Sequence, residues 1–105
     1  MIRTLIVDDE LLALDLMQSL LSVHDDVDIL GIYRSGRKAL DAIRSLTPDL
    51  VFLDIQMPGM SGFELISKLQ PEYLPAVVFA TAFDSFAVDA FRVHALDYLL
   101  KPIRP

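Results

Sequence analysis

A chain of 105 residues without cysteine, carrying 15 acidic against 9 basic side chains for a net charge of -6, makes one domain and excludes several chemistries. Disulfides, thiolate metal sites and a cysteine nucleophile are ruled out, and the acidic balance disfavours direct nucleic-acid binding, because phosphate backbones reward basic surfaces. The opening "MIRTLIVDDE" offers too short an apolar run for a signal peptide, and no stretch approaches a membrane span, so a cytoplasmic protein is expected.

Short apolar runs then alternate with segments of helical period. Residues 2–7 ("IRTLIV") read as a strand, and 11–21 ("LLALDLMQSLL") as a helix with Leu14, Met17, Leu20 and Leu21 on one stripe. Residues 27–33 ("VDILGIY") form a second strand. Residues 36–46 follow as a helix whose Ala39, Leu40, Ile43 and Leu46 share a face, with Pro48 just past its end. The third strand, 49–54 ("DLVFLD"), leads through a Met-Pro-Gly loop into a short helix over 63–69. A strand at 76–81 ("AVVFAT"), a helix at 84–94 capped by Asp84 or Ser85, and a strand at 97–100 ("DYLL") complete the pattern.

Strands alternating with helices of about ten residues imply parallel pairing through right-handed crossovers, and near-continuous apolar strands imply cover on both faces. The expected fold is therefore α/β, a doubly wound five-stranded parallel sheet. Such sheets normally carry a helix after the last strand, whereas here "KPIRP" follows it directly. The chain is thus expected to be truncated before its last helix, with an uncovered apolar patch that favours self-association or swapping.

Ligands of open parallel sheets bind beyond the carboxyl ends of the strands. The first strand ends in Asp8, Asp9 and Glu10, the third in Asp54, the fourth in Thr81 and the fifth in Lys101. Each alone has an ordinary structural explanation: an acidic pair caps a helix, an aspartate opens a turn, Lys-Pro is a strand exit. Four such signals at one sheet edge point instead to chemistry. Crowded carboxylates repel, and a divalent cation resolves the conflict; an oxygen-only donor set with room for water suits Mg2+. The loop is not an EF-hand, since Gln56, Met57 and Pro58 break that pattern. With Mg2+ in place, Asp54 is a candidate nucleophile toward phosphorus, Lys101 a phosphate-pairing ammonium and Thr81 a hydroxyl donor to a phosphoryl oxygen. His24 and His94 both lie away from this edge and are not candidates for a general base.

These residues carry a resemblance. "LIVDDE", "LVFLDIQMPGMSGFEL", "VVFATAF" and "DYLLKP" are similar, in order and spacing, to receiver domains of two-component response regulators with the CheY-like fold, over essentially the whole chain. The resemblance implies strand order 2-1-3-4-5, with Asp54 as phosphoacceptor and Asp9 as direct Mg2+ ligand. It also implies Asp8 as a ligand mainly through water, and Gln56 as a ligand through its backbone carbonyl. Lys101 would pair with the phosphate, through a Lys-Pro bond that is usually cis in the family, while Thr81 and Tyr98 would form the switch. Residues 81–102 further resemble the LytR/AlgR type, whose usual output is a carboxyl-terminal LytTR DNA-binding domain that this chain does not contain. Tyr is common in those relatives at Phe83 and Phe86, which bears on inherited partner contacts and not on phosphorylation.

The resemblance implies a sensor histidine kinase as partner, and DNA only through an output domain. It also bears on homodimerisation through the fourth helix and fifth strand, where Phe83, Phe86, Ala87, Ala90 and Phe91 recur at helical spacing. Self-phosphotransfer, and not turnover of an external substrate, is the expected activity. A magnesium-dependent phosphatase is the rival, but it would need an acid where Gln56 stands; a module that is never phosphorylated is another, and no acidic residue of the site is lost to support it.

Overall fold

The computed structural model describes residues 1–69, 74–81 and 97–100, with Thr81 and 97–100 described by their backbone. The order of elements is β1 (Ile2–Val7), α1 (Leu11–Ser22), β2 (Val27–Tyr33), α2 (Gly36–Leu46), β3 (Leu50–Leu53), α3 (Gly62–Ser67), β4 (Ala76–Thr81) and β5 (Asp97–Leu100). All pairings are parallel, in the order β2-β1-β3-β4-β5, as expected for the doubly wound sheet. The helix expected over 84–94, Phe83, His94, Lys101 and Pro102 lie outside the described residues.

β1 and β3 occupy the middle of the sheet, and their side chains divide between its faces. Leu5, Val7, Val51, Leu53, Val77 and Phe79 point to one side, where Ala39, Leu40 and Ile43 of α2 and Leu65 and Ile66 of α3 meet them. Ile6, Phe52 and Ala80 point to the other, against Leu14 and Met17 of α1. That alternation is the period-two geometry of a strand, and it explains why β3 and the second half of β1, Leu5 to Val7, read as apolar runs. At about 2 kcal/mol for each large apolar side chain taken from water, the α2–α3 side contributes most of the described burial. An edge-to-face contact between Phe63 and Phe79, with ring centroids 5.1 Å apart, ties α3 to β4.

Helix boundaries follow their caps. Ser35 starts α2 by accepting from the Lys38 N–H at 3.1 Å, and Ser61 starts α3 by accepting from the Glu64 N–H at 3.1 Å. α3 therefore begins at Gly62, one residue before the expected start, and its last helical residue is Ser67. α2 ends at Thr47, held in the left-handed region at φ 44°. Arg3 fastens that end: its guanidinium donates to the carbonyls of Thr47 at 2.9 Å and Leu46 at 2.6 Å. A β-branched residue is strained in this conformation. Thr47→Gly relieves the strain at the cost of a freer unfolded chain, and a net gain of about 0.5–1 kcal/mol is expected in chemical denaturation.

Candidate functional site

The register of one ladder sets the site. Val7 of β1 pairs with Leu53 of β3, so the next residues, Asp8 and Asp54, leave the sheet side by side at its carboxyl edge. Both backbones are still held there: the Asp54 N–H donates to the Val7 carbonyl at 2.9 Å, and the Asp8 N–H to the Tyr33 carbonyl of β2 at 3.0 Å. Both side chains are almost buried, Asp8 at 5 % and Asp54 at 4 % exposure. The Asp8 carboxylate accepts the Glu10 N–H at 2.9 Å and so folds the loop back toward α1, while the Gln56 N–H approaches the Asp54 carboxylate at 3.4 Å. Glu10 precedes α1 in the capping position without a side-chain capping bond. The Glu10 side chain is therefore not spent on capping the helix.

Four carboxylates result. One oxygen each from Asp8, Asp9, Glu10 and Asp54 lie within 4.8 Å of one another. Oxygens around a hexacoordinate Mg2+ at about 2.1 Å stand at most about 4.2 Å apart, so the cluster needs only a small contraction to share one ion. All donors are hard oxygens, and two come from nearly buried residues. The donor set fits Mg2+ and offers no nitrogen or sulfur that would favour zinc. Repulsion between such neighbours ranges from about 1 kcal/mol in water to about 4 kcal/mol at a half-screened surface. Asp9 is half-buried, and none of the described residues hydrogen-bonds its carboxylate. Asp9→Asn is therefore expected to raise stability in chelator by about 1 kcal/mol, measured by thermal unfolding.

The loop after Asp54 is shaped by glycine at two points. Gly59 adopts φ 83°, which turns the chain. Gly62 donates its N–H to the Ile55 carbonyl at 2.7 Å, and a Cβ there would stand 2.6 Å from the Asp54 carbonyl oxygen. The start of α3 is thus pressed directly against the backbone that carries Asp54.

Of the site residues expected from sequence, Asp8, Asp9 and Asp54 come together, and Gln56 lies exposed in the adjoining loop. The backbone of Thr81 closes β4 opposite Leu100, at the same sheet edge. The side chains of Thr81 and Tyr98, and all of Lys101, lie outside the described residues. Glu10 joins the carboxylate group although the sequence reading gave it no metal role. Arg34 was missed altogether: its guanidinium donates to the Asp9 carbonyl at 3.2 Å. The rule of inspecting strand ends would have found it, since Arg34 directly follows β2.

A five-stranded parallel sheet in this order, with carboxylates converging beyond its adjacent central strands, is the CheY-like receiver fold. The chain belongs to the response regulator receiver domain family, whose sequence profile matches residues 4–105. It is the receiver domain of a two-component response regulator, and domains of this family are phosphoacceptors that bind Mg2+ at the acidic pocket. It is 52% identical, over 98% of its length, to the transcriptional regulatory protein BtsR of Salmonella typhi. It is 55% identical over the same share to an uncharacterized response regulatory protein of Shewanella oneidensis. The chain spans only 43% and 44% of the length of these two relatives. Among solved structures, the response regulatory domain of protein mrkE from Klebsiella pneumoniae is similar at 35% identity and a TM-score of 0.87, covering 97% of this chain and 84% of that one. No described helix is long and apolar enough to cross a membrane.

Proposed function

We propose that Asp54 is the phosphoacceptor and that Asp8, Asp9 and Asp54, with the backbone carbonyl of Gln56, hold the Mg2+. The observation that carries this reading is the meeting of four carboxylates within 4.8 Å at the ends of two adjacent strands. Of these, Asp54 alone is both nearly buried and positioned by the central β3 strand, clear of the turn that engages Asp8. In the transfer, an Asp54 carboxylate oxygen forms a bond to phosphorus while the phosphorus–nitrogen bond to the phosphohistidine of a sensor kinase breaks, and the imidazole leaves with the electron pair. Bound Mg2+ supplies charge neutralisation for the phosphoryl oxygens. Asp8 and Asp9 hold the ion, and the buried ends of β1 and β3 keep Asp54 from wandering. Lys101 pairs with the phosphoryl group, Thr81 donates its hydroxyl to it, and Tyr98 rotates in response, which makes these two the switch.

The relatives named transcriptional regulatory proteins support a further step, that residues 1–105 act within a longer transcriptional regulator; the resemblance of residues 81–102 to the LytR/AlgR type makes DNA the target of a LytTR output domain. Phosphorylation would then favour a homodimer through the fourth helix and fifth strand. Intact mass after incubation with acetyl phosphate and Mg2+ tests the core of the reading. A gain of one phosphoryl group that disappears with chelator is expected, and no gain under any condition would refute it. Asp9→Asn is expected to weaken Mg2+ binding by about ten-fold or more in calorimetry, since even residues one step removed from a metal have effects of that order.

A further inference from the structure

Arg34 stands between β2 and the Ser35 cap of α2, with an exposed side chain at the same sheet edge as the carboxylates. Its only hydrogen bond among the described residues runs from Nη2 to the main-chain carbonyl of Asp9, at 3.2 Å and 25 residues distant. That choice of partner is unusual. Asp8, Asp9 and Glu10 occupy the very loop it touches, and a guanidinium beside carboxylates ordinarily takes the shorter, charge-assisted, two-pronged contact. Arg34 forms no ion pair with any described residue. Its charge is tethered at the rim of the cluster by a neutral group, with most of its donors unspent. Arg37 and Lys38 also lie near the start of α2, but neither side chain bonds to the carboxylate loop among the described residues.

An incoming phosphoryl group brings about two negative charges. The cluster it approaches holds four carboxylates. One divalent cation and the ammonium of Lys101, assigned above to the phosphoryl group, still leave such a centre with less positive than negative charge, so a further cation at its rim favours the approach of a dianion. A guanidinium suits the task because its planar fork matches phosphate oxygens. We propose that Arg34 receives the anion at the rim of the site, binding the phosphoryl oxygens of a small acyl phosphate ahead of Lys101 and before transfer to Asp54. The proposal rests on the phosphoacceptor reading and deepens it. In the transfer, an Asp54 carboxylate oxygen bonds to phosphorus, the phosphorus–oxygen bond to the acyl group breaks, and the carboxylate of the donor leaves with the electron pair.

The test compares the parent chain with Arg34→Ala, Arg34→Gln and Arg34→Lys. Second-order rates of modification by acetyl phosphate are measured at saturating Mg2+ and at two ionic strengths, and Mg2+ affinity is measured separately by calorimetry. Arg34→Ala and Arg34→Gln are expected to react about five-fold more slowly, with a flatter salt dependence, while Arg34→Lys keeps most of the rate. Mg2+ affinity is expected to stay within about two-fold in all three, because the metal ligands are untouched. Equal rates and salt slopes in every chain overturn the proposal. So does a loss of Mg2+ affinity that parallels the loss of rate, which would make Arg34 only a support for the Asp9 loop. If Arg34→Ala does not fold, the contrast between Arg34→Gln and Arg34→Lys decides. A parent chain that takes up no phosphoryl group sinks the underlying reading and this one together, whereas normal uptake by parent and variants alike sinks this one alone.

Discussion

Asp54→Asn is expected to take up no phosphoryl group from acetyl phosphate and Mg2+ under conditions that modify the parent chain fully. The amide has nearly the shape of the carboxylate and keeps the contact with the Gln56 N–H, which approaches the Asp54 side chain at 3.4 Å. What it loses is the anionic oxygen that attacks phosphorus. It also removes one of four charges gathered within 4.8 Å, so the variant should unfold at a higher temperature in chelator than the parent. The two results together separate a missing nucleophile from a misfolded chain. Intact mass with thermal unfolding reads both, and a mass gain equal to the parent's would remove Asp54 from its role.

The second large effect is expected at Gly62, where packing and chemistry meet. Alanine there would bring its Cβ to 2.6 Å from the Asp54 carbonyl oxygen and 3.1 Å from the Ile55 Cα. Both obstacles are backbone, and neither can turn aside as a side-chain tip would. Relief requires α3 or the end of β3 to shift, at a cost of about 2–3 kcal/mol. For a domain of this size that lowers the midpoint of thermal unfolding by about 10 °C. Because the displaced backbone is that of Asp54, the rate of phosphoryl uptake should fall as well. Gly59→Ala makes the control: its Cβ meets nothing within 4 Å, so only the strain of φ 83° is felt, about 1 kcal/mol. A Gly62→Ala chain as stable and as reactive as the parent would show that the helix is not pressed against the site.

Much of this was legible in the sequence because each signal was local. The near-continuous apolar runs of β1 and β3 announced central strands, and the residues that follow them, Asp8 and Asp54, converge as parallel pairing requires. The α2 face of Ala39, Leu40 and Ile43 is buried as its spacing implied. The start of α3 was placed one residue late, at Phe63, although Ser61 and Glu64 have the capping-box spacing that would have put Gly62 inside the helix. Long-range choices were not legible. The left-handed end of α2 falls on Thr47, a residue type that rarely takes that conformation, and depends on bonds from Arg3 across the sheet edge. The bond from Arg34 to a carbonyl 25 residues away leaves no trace in spacing or composition, for it depends on how β2 and the β1–α1 loop come to lie together.

The four carboxylates are not held alike. Asp8 and Asp54 are nearly buried and descend from one ladder, with their own amides bonded to neighbouring strands. Asp9 and Glu10 are more exposed and lead into a helix that, among the described residues, rests on the sheet by a smaller core. The pocket thus has a rigid jaw and a compliant one. In the site proposed above, an ion would enter and leave by the compliant side while the rigid side holds Asp54 still, so that metal exchange would not disturb the strand pairing on which the fold depends.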